Sequence, residues 1–403
     1  MPACVTVQRA SYAADPHASR GRLLAEPPSP TRTEFQRDRD RIIHSTAFRR
    51  LAHKSQVFVP HEGDHYRTRL THTIEVSQIA RALSRALNLD DDLAEALALA
   101  HDLGHTCFGH TGEDVLEAAM HAHGGFDHNA QALRIVTRLE RRYADHDGLN
   151  LTWEALEGLV KHNGPLLRPD GAPMPKYEKS GVPAPILIFD QIADLGLDTY
   201  ASAEAQAAAI ADDIAYNAHD LDDGLRAGLF DIADLRGVDF LREIVDEIER
   251  SHPGLERVRF IHELTRRVIT RLIEDVIRAS QSRLEARQPQ SADDVRRAGE
   301  VTVSFSPAFV AVDRALKDFL FPHMYRHPRV MKVRREAAGV VEVLFAQFAE
   351  DSSRMPAEWA QAAVLAPDEA KRLRVVCDYI AGMTDRYAVA EHVRLTGGAP
   401  TLR

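Results

Sequence analysis

The chain has 403 residues, of which 44% are hydrophobic, enough to bury a large core in one big domain or two. Fifty basic residues against 60 acidic ones give a net charge of −10, so the chain as a whole is not a basic nucleic-acid binder. Cys4, Cys107 and Cys377 are widely spaced and form no CxxC pair, which excludes a disulfide framework and a thiolate zinc site.

The N-terminus, "MPACVTVQRASYAADPHASRGRL", lacks the continuous apolar run of a secretory leader. No window of about eighteen uninterrupted apolar residues marks a membrane span. A cytoplasmic setting without a membrane partner is therefore expected. Strand-like alternation is nearly absent and helical periodicity is common, so the fold is expected to be mostly α. Residues 1–30 read as a flexible tail ending in "EPPSP". Helices are expected over 32–51, 68–88 and 91–103, the last capped by Asp90 or Asp91 and ended at Gly104. Further helices are expected over 112–123, 128–142 behind Asp127, and 152–162. The stretch "NGPLLRPDGAPMPKYEKSGVPAP" holds six prolines and cannot be one helix, so 164–185 is read as a long loop. Helices resume near 203–222, 238–250 and 255–287. "VTVSF" (301–305) is the best strand candidate. The remaining helices are expected over 307–320, 329–350 and 367–394.

Four stretches carry chemistry. In "TRLTHTIEVSQIARALSRAL", Arg69, His72, Val76, Ile79 and Leu83 share one helical stripe. A cation and an imidazole on an apolar stripe need an anion, a hydrogen bond or a metal. His101 and Asp102 close the apolar run "LALA" at the end of the next helix. Imidazole and carboxylate without thiolate suit Mn²⁺, Fe²⁺, Mg²⁺, Ni²⁺ or Zn²⁺. A further carboxylate ligand is offered by "AAAIADDIAYNAHDLDDGL", where Asp212, Tyr216, His219 and Asp220 share a face and Asp213 lies about 100° away. Both aspartates are candidates on spacing alone. His110 and Glu113 are one turn apart, a spacing that suits general acid/base work. His128 opens a helix, where backbone N–H groups favour anions.

Taken together, "FRRLAHKSQVFVPHEGDHYRTRLTHTIEV", "ALAHDLGHTCFGHTGE", "FDHNAQALR" and "IADDIAYNAHDLDDGL" resemble the deoxyguanosine triphosphate triphosphohydrolase (dGTPase) family of HD-domain phosphohydrolases. The similarity runs over about residues 19–230, with weaker echoes to 395. It implies an all-α fold, an HD-type catalytic core over 31–230, and a helical region over 231–403 packed on that core rather than independent of it. It also implies one divalent metal per chain, a deoxynucleoside triphosphate substrate and a homo-oligomer. His72, His101, Asp102 and Asp212 match the metal ligands. Asp212 is preferred to Asp213 because Tyr216 and Asp220 keep the family's spacing from it. His110, Glu113 and His128 match catalytic residues. Arg69, His105, Gln56, Tyr216 and Asp220 match substrate-binding positions: Arg69 on phosphate, Gln56 and Asp220 on the sugar 3′-hydroxyl, Tyr216 near sugar and phosphates. The related SAM-and-HD-domain dNTP hydrolases carry a lysine next to the metal aspartate. Here that position is Asp213, so one phosphate contact is missing or replaced.

The resemblance therefore implies hydrolysis of dGTP or several dNTPs at the α-phosphorus, giving deoxynucleoside and tripolyphosphate. Two alternatives are an HD phosphohydrolase of other nucleotides and a nucleic-acid-binding regulatory protein with a vestigial catalytic site, for which weak single-stranded nucleic-acid binding is the partner expected. The last rests on the local basic stretches "RDRDRIIHSTAFRR" and "YRHPRVMKVRRE". Salt-dependent oligonucleotide binding without nucleotide turnover would distinguish it.

Overall fold

The structure is a computed structural model and describes residues 9–58 and 66–400. The first eight residues of the expected tail, positions 59–65 of the quoted His-rich motif, and the last three residues lie outside that set. Among the described residues the protein is helical, with isolated β-bridges and no strand.

The first described residues pack rather than trail. Over its described part the expected flexible tail buries Ala13 and Ala14, and the Ala14 N–H donates to the buried Glu204 carboxylate at 2.9 Å. Arg22 donates to Asp38 at 2.5 Å and to the Asn150 carbonyl at 2.6 Å. The helix expected over 32–51 is two, α1 (Glu34–Ile43) and α2 (Thr46–Arg50). Ser45 breaks it: its extended backbone and side chain cap α2 by accepting from the Phe48 N–H.

The centre of the molecule is formed by α3 (Arg69–Ala86), α4 (Asp91–Ala100) and α9 (Ala203–Arg226), which pack on one another, with α1 against α4. Alanines make this possible. Ala94, Ala96, Ala98 and Ala100 on α4 and Ala207, Ala208, Ala211 and Ala215 on α9 are all buried, so the backbones approach closely. Asp90 caps α4. Next come α5 (His110–Met120) and α6 (His128–Arg134), which is shorter than expected because it ends in a π-turn over Ile135–Leu139. Glu140 then accepts from the Thr46 and Ala47 N–H groups at 3.0 and 2.7 Å.

After α7 (Trp153–Val160) the proline-rich segment runs without a long helix as far as α8 (Ala184–Ala193), whose start coincides with the expected end of the loop. α10 (Asp239–Ser251), α11 (Arg257–Arg287) and the short α12 (Ala292–Arg296) follow. "VTVSF" is not a strand. The Gln206 side-chain oxygen accepts from the Thr302 and Val303 N–H groups at 2.7 and 2.9 Å, and Arg283 donates to the Ser304 and Phe305 carbonyls. Side chains thus satisfy the backbone that a neighbouring strand would have paired.

α13 (Pro307–Leu320), α14 (Pro328–Glu350) and α15 (Ala357–Val364) come next. The last expected helix is again two, α16 (Glu369–Ala381) and α17 (Asp385–Thr396), parted where Thr384 caps α17. α14 packs on α5, α16 and α17 around a second hydrophobic cluster that includes Phe108, Leu116, Leu344, Phe348 and Ile380.

Gly104 sets the site's position. A β-carbon built there would lie 1.9 Å from the His128 carbonyl oxygen and 2.4 Å from the Ala132 nitrogen, both backbone atoms of α6. The corner after α4 can therefore touch α6 only without a side chain. Gly104→Ala is expected to destabilise the fold by about 1–3 kcal/mol, the usual range for overpacking, and denaturant unfolding measures it.

Candidate active site

α3 brings Arg69 and His72 inward at its first turn, and the chain leaving α4 brings His101, Asp102 and His105. Asp212 arrives from the middle of α9. His72 Nε2 is 2.8 Å from Asp212 Oδ1, and His101 Nε2 lies 3.5 Å from both Asp212 Oδ1 and Asp102 Oδ1. Candidate ligand atoms of His72, His101 and Asp102 all lie within 4.8 Å of one another. His101 Nδ1 is 2.6 Å from the Ala98 carbonyl, so it carries the ring proton and leaves the Nε2 lone pair free. His101 Nε2 and Asp102 Oδ2 are buried and have no hydrogen-bond partner. Buried polar atoms without partners are costly. Two imidazole nitrogens and the Asp102 carboxylate gathered at one place, with Asp212 beside both rings, fit a divalent cation of the hard-to-borderline class.

The electrostatics agree. Burial opposes ionisation of Asp102, but Arg69 and the flanking histidines hold it well below the usual carboxylate range. Burial likewise opposes charge on Asp212, and His101, His162 and His72 hold it low. Asp213 turns away and pairs with Lys317 at 2.9 Å.

A second group stands beside the first. His105 reaches Asp102 at 3.2 Å and stacks on His128 with ring centroids 4.1 Å apart. Glu113 bridges two histidines: Oε2 is 2.9 Å from His110 Nδ1 and Oε1 is 2.7 Å from His128 Nδ1. The His128 backbone N–H also donates to Glu113, at 3.0 Å. Burial would lower the His128 pKa, but the hydrogen bond and charge of Glu113 raise it. Burial would raise Glu113, and the two histidines hold it far below its ordinary value. Phe108, at φ +59°, and Gly109, at φ +57°, form the left-handed turn that aims His110. A side chain at Gly109 would strike the Arg69 guanidinium.

Both groups open on a cavity of about 360 Å³, whose wall includes Gln56, Arg69, His72, His110, Asp212 and Tyr216. The buried Gln56 side-chain oxygen has no partner. Asp220 is not in the wall. It accepts a hydrogen bond from the Tyr325 hydroxyl, and Tyr325 lines the cavity, its ring 6.0 Å from that of Tyr216. Burial pushes the Asp220 carboxyl up to about 7.

Sequence reasoning passed over three residues. His162 reaches Asp212 at 3.4 Å and stacks on His101. Tyr325 and Arg334 enter from the C-terminal region, Arg334 bonded to Thr111 at 3.0 Å. None stands in a patterned motif. Only the neighbouring "HN" after α7 and the basic run on α14 hinted at them.

Residues 69–217 match the HD domain, and residues 303–394 match the phosphohydrolase-associated domain. A Brucella anthropi protein named deoxyguanosinetriphosphate triphosphohydrolase-like is 59% identical over 98% of this chain and 97% of its own length. Proteins of the same name from Rhizobium etli and Rhizobium meliloti are each 56% identical over 98% of this chain and 97% of their own. The chain belongs to the dGTPase-like family of HD-domain proteins. It is thereby a phosphohydrolase of the metal-dependent HD class, as the resemblance implied. Among the described residues no helix is long and apolar enough to cross a membrane.

The Glu113 bridge has a measurable signature. With the carboxylate removed, the hydrogen bond and the nearest negative charge that oppose burial are lost and only the charges of Asp127 and Asp102 still oppose it, so in Glu113→Gln the His128 imidazole should titrate at lower pH than in the unaltered protein. Histidine NMR titration measures this, and an unmoved resonance would separate Glu113 from His128.

Proposed function

We propose that the chain hydrolyses 2′-deoxynucleoside 5′-triphosphates at the α-phosphorus, releasing a deoxynucleoside and intact tripolyphosphate. The observation that carries the reading is the juxtaposition of two sites on one cavity. The His72, His101 and Asp102 cluster, joined by Asp212 through His72, stands on one side, and the His110–Glu113–His128 bridge stands on the other with His105 between them.

His72, His101, Asp102 and Asp212 would hold one divalent cation, which supplies Lewis acidity toward phosphate oxygens. The chain's own residues do the rest. Arg69, buried against Asp102, presents positive charge to the polyphosphate. Glu113 accepts hydrogen bonds from the Nδ1–H groups of His110 and His128, which leaves Nε2 of each ring as the atom that gives or takes a proton, and His110 lines the cavity. A water oxygen forms the new bond to the α-phosphorus, and the bond from that phosphorus to the 5′-oxygen breaks. The departing electron pair stays on the 5′-oxygen, which takes the Nε2 proton of a protonated His110 or His128, and the proton given up by the attacking water restores that histidine. Gln56 reads the sugar hydroxyl with its unpartnered oxygen, and Asp220 acts through Tyr325. Lys317 beside Asp213 supplies an ammonium near the position where related enzymes carry lysine.

Two measurements test this. In ¹⁸O-labelled water with a dNTP, the label should enter tripolyphosphate and not the nucleoside. Formation of dNMP with pyrophosphate would overturn the α-phosphorus assignment. Asp102→Asn should lose bound metal and turnover together, and full metal occupancy by elemental analysis would remove Asp102 from the ligand set.

A further inference from the structure

Behind His72 lies a chain of polar side chains that the reaction described above does not use. His72 Nδ1 is 3.3 Å from His219 Nδ1. His219 Nε2 is 2.9 Å from Glu75 Oε2, and that same oxygen accepts from Arg67 Nε at 3.0 Å. Arg67 in turn reaches Asp222 and Asp223, each at 2.8 Å. His72 and His219 are buried, whereas Glu75 is half-exposed at the rim.

The proton count along this chain has one solution if His72 is a ligand. An imidazole that gives its Nε2 lone pair to a cation keeps its proton on Nδ1. That proton can only be donated to His219 Nδ1, which must then be bare. His219 therefore carries its single proton on Nε2 and donates it to Glu75. Glu75 is an acceptor only, held anionic by Arg67 as well. The direction of every hydrogen bond is fixed from the cavity to the surface.

We propose that His219 and Glu75 are positioning residues for the metal centre: through the aligned bonds Glu75–His219–His72 they fix the ring and tautomer of His72 and raise its affinity for a divalent cation. The inference rests on His72 being a ligand, as proposed above. The electrostatics of the two groups support it. Burial, with the charges of Arg67 and His72, holds the His219 pKa below its ordinary value although Glu75 opposes it. Burial opposes charge on Glu75, and His219 and Arg67 nevertheless hold its carboxyl at about 2. Outer partners of this kind typically change metal affinity about 10–100-fold.

The test uses Mn²⁺ alone, titrated into the full-length apoprotein against a chelator of known affinity. The unaltered chain should bind about one ion, and His72→Ala should lose it. In His219→Asn the amide oxygen stands near the position of Nδ1 and still accepts from His72, but the link to Glu75 is cut. Its Kd should rise about tenfold. His219→Phe fills the space but accepts nothing, and its Kd should rise about 100-fold. Glu75→Gln, at a half-exposed position that tolerates change, should resemble His219→Asn and carries the test if the Phe variant does not fold. A role in packing alone predicts the opposite order, with Phe the better replacement. Tighter Mn²⁺ binding by His219→Phe than by His219→Asn, or a Glu75→Gln Kd within twofold of the unaltered chain, would overturn the proposal and leave His72 as a ligand. Binding that survives His72→Ala would overturn both readings.

Discussion

Two carboxylates, Asp102 and Asp212, sit within one helical core, and most of the site follows from the need to neutralise them. A buried carboxylate is tolerated only beside positive charge or hydrogen-bond donors. Arg69 donates to Asp102 at 2.9 Å, and His72 and His162 reach Asp212. Yet Asp102 Oδ2 and His101 Nε2 still lack partners. His72 Nε2 and Asp212 Oδ1, 2.8 Å apart, would repel as two lone pairs unless a proton or a cation stands between them. The unpartnered His101 Nε2 and Asp102 Oδ2 are the atoms that a bound cation would satisfy.

The scaffold keeps that cluster in register with the histidine bridge. Close packing of α3, α4 and α9 depends on alanines, and the corner after α4 meets α6 only because residue 104 is glycine. The C-terminal region fastens the other side. Asp385 accepts from the Ser55 and Phe108 N–H groups at 2.8 Å each, and the buried Lys54 ammonium donates to the carbonyls of His105 and Ala381. Burial brings the Lys54 pKa down to about 7. These bonds hold the left-handed turn at Phe108, a conformation that non-glycine residues adopt only when their surroundings enforce it. Asp385, 277 positions beyond Phe108 in the chain, therefore helps to aim His110.

Helix identity was legible because each long helix buries one face, and burial writes a 3.6-residue period into the sequence. The breaks were less legible. Ser45 and Thr384 each cap a helix that starts just after another has ended, but a lone Ser or Thr inside a periodic run is a weak signal. "VTVSF" was misleading because alternation records which side chains are buried, not what pairs with the backbone. Gln206 and Arg283, distant in sequence, pair with it here. The described N-terminal residues have no periodicity, and their packing depends on Glu204 and Asn150 far along the chain.

For the site, the sequence by itself determined the inventory: which imidazoles and carboxylates are available, that His72 lies on an inward stripe, and that His110 and Glu113 are neighbours on one turn. Local helical geometry sets these relations, so spacing alone reveals them. Only the tertiary structure decided which groups meet. It turned Asp212 toward His72 and His101 and Asp213 toward Lys317, placed Tyr325 between Asp220 and the cavity, and brought His162 and Arg334 to the same space. Each of those contacts joins segments brought together by burial of apolar faces elsewhere, and no residue's own neighbours along the chain encode it.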